Sequence, residues 1–126
     1  MDKNLLQDIN LKLKKKGVTE SDVVYFESET VSASSRLGKL EKTEKSELQE
    51  IGIRVIINYR QSIISSTNLD KKNLDLLIDK VVDMAKFVPK DKYCGLAKEK
   101  QIFDGVSEDL KKLDQFDSFT PSQDDL

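Results

Sequence analysis

The stretch that decides the fold is "IGIRVIINYRQSIISSTNLDKKNLDLLIDKVVDMAKFVP", residues 51–89. Its first part alternates between two faces, as a half-buried strand does. One face carries Ile51, Ile53, Val55 and Ile57, and the other carries Gly52, Arg54, Ile56 and Asn58. We expect a turn over 58–61 and a second strand over 62–67. Gly52 has no side chain, so another backbone or side chain can approach the sheet there.

The second part of the stretch predicts an amphipathic helix. Asp70 is suited to the N-cap, and Leu69 with Leu74 is typical of a hydrophobic staple. Pro89 ends the helix. The apolar positions follow helical spacing, and they are Leu74, Leu77, Ile78, Val81, Val82, Ala85 and Val88. A helix face this apolar is expected to cover the isoleucine face of the sheet.

Residues 4–16 predict another helix, with Leu5, Leu6, Ile9 and Leu13 on one face. The helix is expected to end at Gly17, a residue that readily forms a left-handed cap, with Val18 making the accompanying apolar contact. Lysines crowd its last turn, namely Lys12, Lys14, Lys15 and Lys16. Two interpretations are open. The lysines could form a patch that binds phosphate or a membrane, or they could be a solvated helix end whose positive charge complements the helix dipole. The net charge of −2 favours the second interpretation.

Between these elements lies a β-rich stretch. Within 21–38, one strand face carries Val24 and Phe26, and the other carries Val23, Tyr25, Val31 and Ala33. The pair Leu37-Gly38 predicts a tight turn. The propensities of residues 39–50, "KLEKTEKSELQE", favour a helix. Their apolar residues are too few for a helical stripe, which favours an exposed, charged strand, so the pattern leaves both open.

Composition limits the classes of function. The 126 residues are 37% hydrophobic and 35% charged, which suits one modest core. The charge balance predicts no nucleic-acid partner, and the lack of a long apolar run predicts no membrane span. The single cysteine, Cys94, predicts a structural thiol in a reducing, cytoplasmic setting. We find no signal-peptide pattern.

The sequence contains no histidine. Histidine-based acid–base catalysis, Ser-His-Asp and Cys-His nucleophile systems and ordinary zinc sites are therefore excluded for this chain alone. A carboxylate-only metal site stays open in principle, but no calcium-type loop is present. We accordingly predict no catalytic, cofactor-binding or metal-binding residue in the chain, and leave its substrate or partner contacts unassigned.

The stretch after Pro89 has isolated apolar residues and many charges. Widely spaced anchors suggest an extended segment, and they are Phe103, Leu110, Leu113, Phe116 and Phe119. Its end, "TPSQDD" (120–125), resembles a helix start with a capping box and acidic residues in the first turn. We therefore expect two parts, a helix–β-meander–helix domain over 1–89 and an extended tail or linker over 90–126 that ends where a further helix would begin.

The run from Arg36 to Ala97 resembles the N-terminal domain of the TldD/PmbA family, proteins described as metallopeptidases or metallopeptidase-like. The matching positions are Arg36, Gly38, Glu41, Gly52, Ser66, Thr67, Leu69, Pro89, Gly95, Leu96 and Ala97. Residues 102–117 extend the match weakly and favour the PmbA branch, also called TldE. Ser62 departs from the family, which commonly has glycine there, and this puts the shape of the neighbouring turn in question.

The resemblance implies an α+β fold, in which residues 39–50 form the second arm of a hairpin. We expect an antiparallel sheet of about four strands with both helices on one face, followed by the tail. Family members are several times longer, so the resemblance also implies that this chain is a fragment. In the family, TldD-type subunits hold zinc on a His-Glu-x-x-x-His helix, and PmbA/TldE-type subunits lack those ligands. Together they enclose a chamber that cleaves unfolded peptides, including peptide antibiotic precursors.

No position of this chain matches that zinc motif. The implied role is a non-catalytic scaffold that contacts unfolded peptide substrates or a TldD-type partner subunit, with zinc only in that partner. The alternative is a free-standing adaptor that binds another protein through its sheet edge or apolar tail. Older descriptions name PmbA a modulator of DNA gyrase, but the charge of this chain and its lack of a recognition-helix pattern argue against DNA binding.

The histidine count generates a first prediction. The isolated chain should bind no zinc tightly and cleave no peptide, because it has no histidine and no multi-cysteine ligand set. Equilibrium dialysis against zinc measures this. Stoichiometric binding with a submicromolar dissociation constant would show the prediction to be wrong.

Overall fold

The computed structural model describes residues 3–103, 112–115, 117–119, 121–122 and 125. Its elements are α1 (Lys3–Lys15), β1 (Glu20–Arg36), β2 (Lys39–Ile57), β3 (Arg60–Ser66), α2 (Lys71–Phe87) and a short 3-10 helix, Glu99–Gln101. The strands form one sheet in the order β1-β2-β3. Because consecutive neighbours are joined by two-residue turns, the sheet is an antiparallel meander. The α+β prediction is confirmed.

The sheet has three strands among the described residues, where about four were expected. The difference arises in β2, which runs without interruption through 19 residues. No proline or turn pair separates the charged stretch 39–50 from the isoleucine-rich stretch 51–57, so they form one strand. The strand alternative for 39–50 is therefore the right one, as the family resemblance implied.

Both hairpins use two-residue turns with a left-handed backbone. Leu37 and Gly38 join β1 to β2 with φ of 52° and 73°, as the sequence predicts. Asn58 and Tyr59 join β2 to β3 with φ of 50° and 65°. This second turn is tighter than the four residues expected, so β3 begins at Arg60, two residues earlier than predicted.

The core lies between the two helices and one face of the sheet. Its buried side chains come from α1, the α1–β1 loop, β2 and α2, and they are Ile9, Leu13, Val18, Ile51, Ile53, Val55, Leu74, Ile78, Val81, Val82 and Ala85. Leu69, Leu77 and Ile57 pack against this cluster and are partly buried. The predicted contact between the isoleucine face and the apolar face of the second helix is confirmed.

Ser62 joins β3 to α2 by a buried hydrogen bond. Its hydroxyl donates to the backbone carbonyl of Val81 over 2.6 Å. Ser62 is 6% exposed and lies opposite Val55 in the β2–β3 pair. The departure from glycine therefore falls inside β3, outside the two-residue turn at Asn58 and Tyr59. A buried hydroxyl needs a partner, and the helix backbone provides it.

The ends of the helices follow the capping rules in different degrees. After α1, Gly17 takes φ 82°, its N–H donates to the Lys14 carbonyl, and the Val18 N–H donates to the Leu13 carbonyl. These two bonds form a Schellman motif, as predicted. Asp70 occupies the N-cap position of α2, but its side chain makes no capping hydrogen bond. Instead, the Asn68 side-chain oxygen accepts the Asp70 N–H over 2.9 Å.

The lysines at the end of α1 have a structural role that the sequence did not predict. Lys12 and Lys16 form ion pairs with Asp75 and Asp79 of α2, at 2.5 and 2.6 Å. The hydrogen bond from Lys12 lowers the pKa of Asp75, and the hydrogen bond to Asp79 raises the pKa of Lys16. These pairs bridge the two helices beside the core.

The chain divides into two compact units, Met1–Ser28 with Glu47–Leu96, and Glu29–Ser46 with Ala97–Leu126. The predicted boundary between 89 and 90 stays a prediction. In the tail, Phe103, Leu113 and Phe119 are exposed. The remaining predicted anchors, Leu110 and Phe116, lie outside the described residues, as do Thr120, Gln123 and Asp124 of the expected helix start.

Neither α1 nor α2 is long and apolar enough to cross a membrane.

The core contact generates a prediction for Val81, which is fully buried. Val81→Asp should cost several kcal/mol, comparable to a total stability of about 5–15 kcal/mol, because it buries a charge without a partner. Leu76→Asp on the exposed side of the same helix is the matched control. Thermal unfolding followed by circular dichroism compares them. A Val81→Asp melting temperature close to that of the control would contradict the packing.

The ion pairs generate a prediction of pH dependence. A lowered pKa in the folded state means that Asp75 stabilises the fold above its unfolded pKa of about 4 and loses that contribution as the pH falls through the folded value. In urea unfolding, Asp75→Asn should be less stable than the wild type at pH 7 and equally stable well below pH 4. The effect is small because the pair is exposed.

Two variants complete that experiment. Lys12→Met removes the partner of Asp75, and its stability should likewise converge with that of the wild type in acid. The control is Asp8→Asn, which removes an exposed carboxylate of α1 that lies outside the two ion pairs and should not reproduce this loss of stability at pH 7. A stability difference between Asp75→Asn and the wild type that persists unchanged into acid would contradict the assignment.

Candidate functional site

The sheet face turned away from the helices carries exposed apolar side chains. We call this the open face. It is formed by the residues that alternate with the buried positions of β1, β2 and β3. Val24, Phe26 and Ile63 lie on it and are 61, 54 and 58% exposed. Ile56, which is nearest the β2–β3 turn, is buried on the same side. Side chains of this type grouped on one face are typical of a contact surface.

An ion pair lies at the centre of the open face. Arg54 Nε donates to Asp22 Oδ1 over 2.9 Å, and Arg54 Nη2 donates to Asp22 Oδ2 over 2.6 Å. This two-pronged hydrogen bond to Asp22 raises the pKa of Arg54. Both side chains are partly buried, so the pair ties β1 to β2 and presents a neutralised polar centre between apolar neighbours.

Gly52 leaves a shallow space in the open face. It pairs with Ser65 of β3, next to the pair Arg54–Ile63. A Cβ atom added at Gly52 would meet nothing within 4 Å. Among the residues that the structure describes, none makes the close approach expected at Gly52, and the space beside it can take another molecule.

Among the grooves elsewhere in the unit that contains the core, two lie away from the ion pairs between the helices. One, of about 540 Å³, runs between α1 and the start of β1, where the Ser21 hydroxyl donates to Asn10 Oδ1 over 2.9 Å. The other, of about 450 Å³, lies at the β2–β3 turn and is lined by Tyr59 and residues 90–93. The sequence did not indicate the second groove. The available signal was Tyr59, an aromatic residue in a turn position that usually holds glycine.

The donor groups of the chain do not fit a zinc ion. There is no histidine, and Cys94 is the sole cysteine. Within the described ranges, no three Asp, Glu, Cys or His side chains lie close enough to hold a metal ion. The open face can pack against another molecule and donate hydrogen bonds, and the carboxylate of Asp22 on it is already bound to Arg54.

Comparison with known proteins identifies the fold. Among solved structures, a protein from Bacteroides thetaiotaomicron named as a candidate modulator of DNA gyrase matches with a TM-score of 0.76 and 21% identity, over 82% of this chain and 23% of that one. TldE from Thermococcus kodakarensis matches with a TM-score of 0.61 and 19% identity, over 75% of this chain and 21% of that one. At these identities the likeness shows the fold. The chain spans less than a quarter of the length of each.

No curated protein matches the sequence significantly. The family model described as "PmbA/TldA metallopeptidase domain 1" matches residues 21–85, from the first residues of β1 to the buried part of α2. This range contains the whole sheet from position 21 onward, the open face and the helix that covers the core. Because the match extends over just more than half of the 126 residues, the chain belongs to the PmbA/TldD family and contains its first domain.

Proposed function

We propose that this chain is a non-catalytic scaffold of the PmbA/TldE type, which contacts a TldD-type partner subunit during the proteolytic processing of unfolded peptides in the cytoplasm. The observation that carries the proposal is the open face. A family domain whose sheet exposes Val24, Phe26 and Ile63 has a surface suited to another polypeptide.

The composition of the open face supports a protein contact. Protein interfaces combine a centre of apolar and aromatic side chains with arginine and few unpaired charges. Phe26, Val24 and Ile63 provide the apolar part, and Arg54 is already neutralised by Asp22. A partner covering this part of the face would therefore bury apolar area without separating the charges of Arg54 and Asp22.

In this proposal the chemistry belongs to the partner. The TldD-type subunit holds the zinc ion and cleaves the peptide, and this chain contributes the surface on which the partner or its peptide substrate rests. The branch assignment is supported by the weak resemblance of residues 102–117 to the PmbA branch.

The proposal predicts the effect of charge on the open face. The double variant Val24→Lys/Ile63→Lys of the full chain should bind a zinc-loaded TldD-type subunit from the same organism at least about tenfold more weakly than the wild type, since each lysine would have to be desolvated at the contact. Isothermal titration calorimetry measures the dissociation constants.

The matched control is Leu11→Lys/Leu76→Lys, which places the same charges on the exposed sides of the helices. Wild-type affinity is expected for it. If the wild-type chain fails to bind the subunit, the proposed function is wrong. If both double variants bind as the wild type does, the contact exists but does not use the open face.

A further inference from the structure

A second surface lies where the β2–β3 turn meets the segment that follows α2. We call it the turn corner, and it consists of Tyr59, Arg60 and residues 90–93. The groove of about 450 Å³ described above is lined by Tyr59, Lys90, Asp91, Lys92 and Tyr93. The turn corner belongs entirely to the unit that contains the core. It is separate from the open face in its residues and in its chemistry.

One hydrogen bond joins the two segments of the turn corner, and others order the segment that follows α2. The Asp91 N–H donates to the Tyr59 carbonyl over 2.7 Å. The Asp91 carboxylate accepts the Tyr93 N–H over 2.9 Å, and the Asp91 carbonyl accepts the Cys94 N–H over 3.1 Å. Farther along, the Leu96 N–H donates to the Glu20 carboxylate over 2.8 Å. The segment is thus attached to the turn, and the Asp91 carboxylate, the one among the residues that line the groove, already accepts a hydrogen bond from the Tyr93 N–H.

The turn corner exposes two aromatic rings. Tyr59 is 58% exposed and Tyr93 is 84% exposed. Tyr59 has φ 65°, a left-handed backbone conformation that residues other than glycine rarely adopt. Glycine is the common residue at this place in a two-residue hairpin turn. The chain therefore keeps an aromatic ring at the surface in a position where glycine would stabilise the turn.

The charge of the turn corner is opposite to that of the chain. Lys90 and Lys92 line the groove, and Lys92 Nζ lies 4.9 Å from the centre of the Tyr93 ring. Arg60 follows Tyr59, is partly buried, and has an inaccessible Nε without a hydrogen-bond partner among the described residues. The whole chain has a net charge of −2. A local excess of positive charge beside aromatic rings attracts carboxylates from a partner.

We propose that the turn corner is a docking site for an acidic segment of another polypeptide that carries aromatic or aliphatic side chains between its carboxylates. Tyr59 and Tyr93 would contact the apolar side chains, and Lys90 and Lys92 would pair with the carboxylates. Tyrosine is one of the residue types that dominate binding energy at such contacts. A nucleic acid fits less well, because two lysines on an acidic chain neutralise few phosphates.

The test uses the full chain and a short fluorescein-labelled peptide in which glutamates alternate with leucine and phenylalanine. Fluorescence anisotropy at about 0.15 M salt, where surface charges are screened beyond about 8 Å, gives the dissociation constant. Lys90→Glu/Lys92→Glu should weaken binding about tenfold or more. Lys72→Glu/Lys80→Glu, which makes the same change in net charge on exposed positions of α2, should leave it unchanged.

Two further variants test the aromatic rings. Tyr59→Gly removes one ring and also relieves the left-handed backbone, so the fold should be retained or stabilised while peptide binding weakens. Tyr93→Ala should weaken binding at a position that is almost fully exposed and contributes nothing to the core. Thermal unfolding of each variant separates lost binding from lost folding.

Three outcomes would overturn the proposal. The first is no saturable binding of the acidic peptide by the wild-type chain. The second is an equal loss in the two double lysine variants, which would show non-specific attraction. The third is tighter binding of an unlabelled oligothymidine competitor than of the peptide, which would indicate a nucleic-acid site. Each outcome is independent of the TldD-type subunit, so this proposal and the proposed function fail separately.

Discussion

The burial of the aliphatic side of β2 under α2 is the contact on which the rest of the structure depends. Ile53, Val55 and Val81 have no exposed surface, and Ser62 adds a hydrogen bond from the neighbouring strand to the helix backbone. With 37% hydrophobic residues, the chain has material for one such core. α1 and β1 attach to it through Ile9, Leu13 and Val23, so their positions follow from a contact made by other elements.

The same strand also determines the open face. In β2, alternate residues point to opposite sides, so the register that buries Ile53 and Val55 necessarily places Gly52 and Arg54 on the other side. A slip by one residue would exchange the two sets. The ion pair between Asp22 of β1 and Arg54 of β2 depends on the same register, because both side chains must lie on the open face to meet. The surface proposed for a partner is therefore held in place by the core behind it.

Sequence patterns predicted the elements whose signals are local. The spacing of apolar residues, together with Pro89, was sufficient to predict α2. Gly17 and Val18 predicted the end of α1, and Leu37-Gly38 predicted the first hairpin turn. The pairing of Lys12 with Asp75 could not be predicted, because the two residues are 63 positions apart in the sequence and meet only through the packing of the two helices. The uninterrupted β2 was missed because its charged half and its apolar half have different compositions. The candidate surfaces were not predicted either, since exposed side chains such as Tyr59 leave no periodic pattern.

The ion pairs between the helices have a consequence for how the helices could move. Asp75, Asp79 and Asp83 recur every four residues along α2, and the field of all three acts on Lys16. A displacement of α1 by one helical turn, about 5.4 Å, would offer Lys12 and Lys16 the next two aspartates in place of their present ones. The four-residue spacing of the aspartates therefore does not by itself fix the position of α1. Asp83 is already paired with Lys86, and Ile9 and Leu13 fit into the core only in the observed position. The register between the two helices therefore depends on the packing of α1 into the core and not on the ion pairs alone.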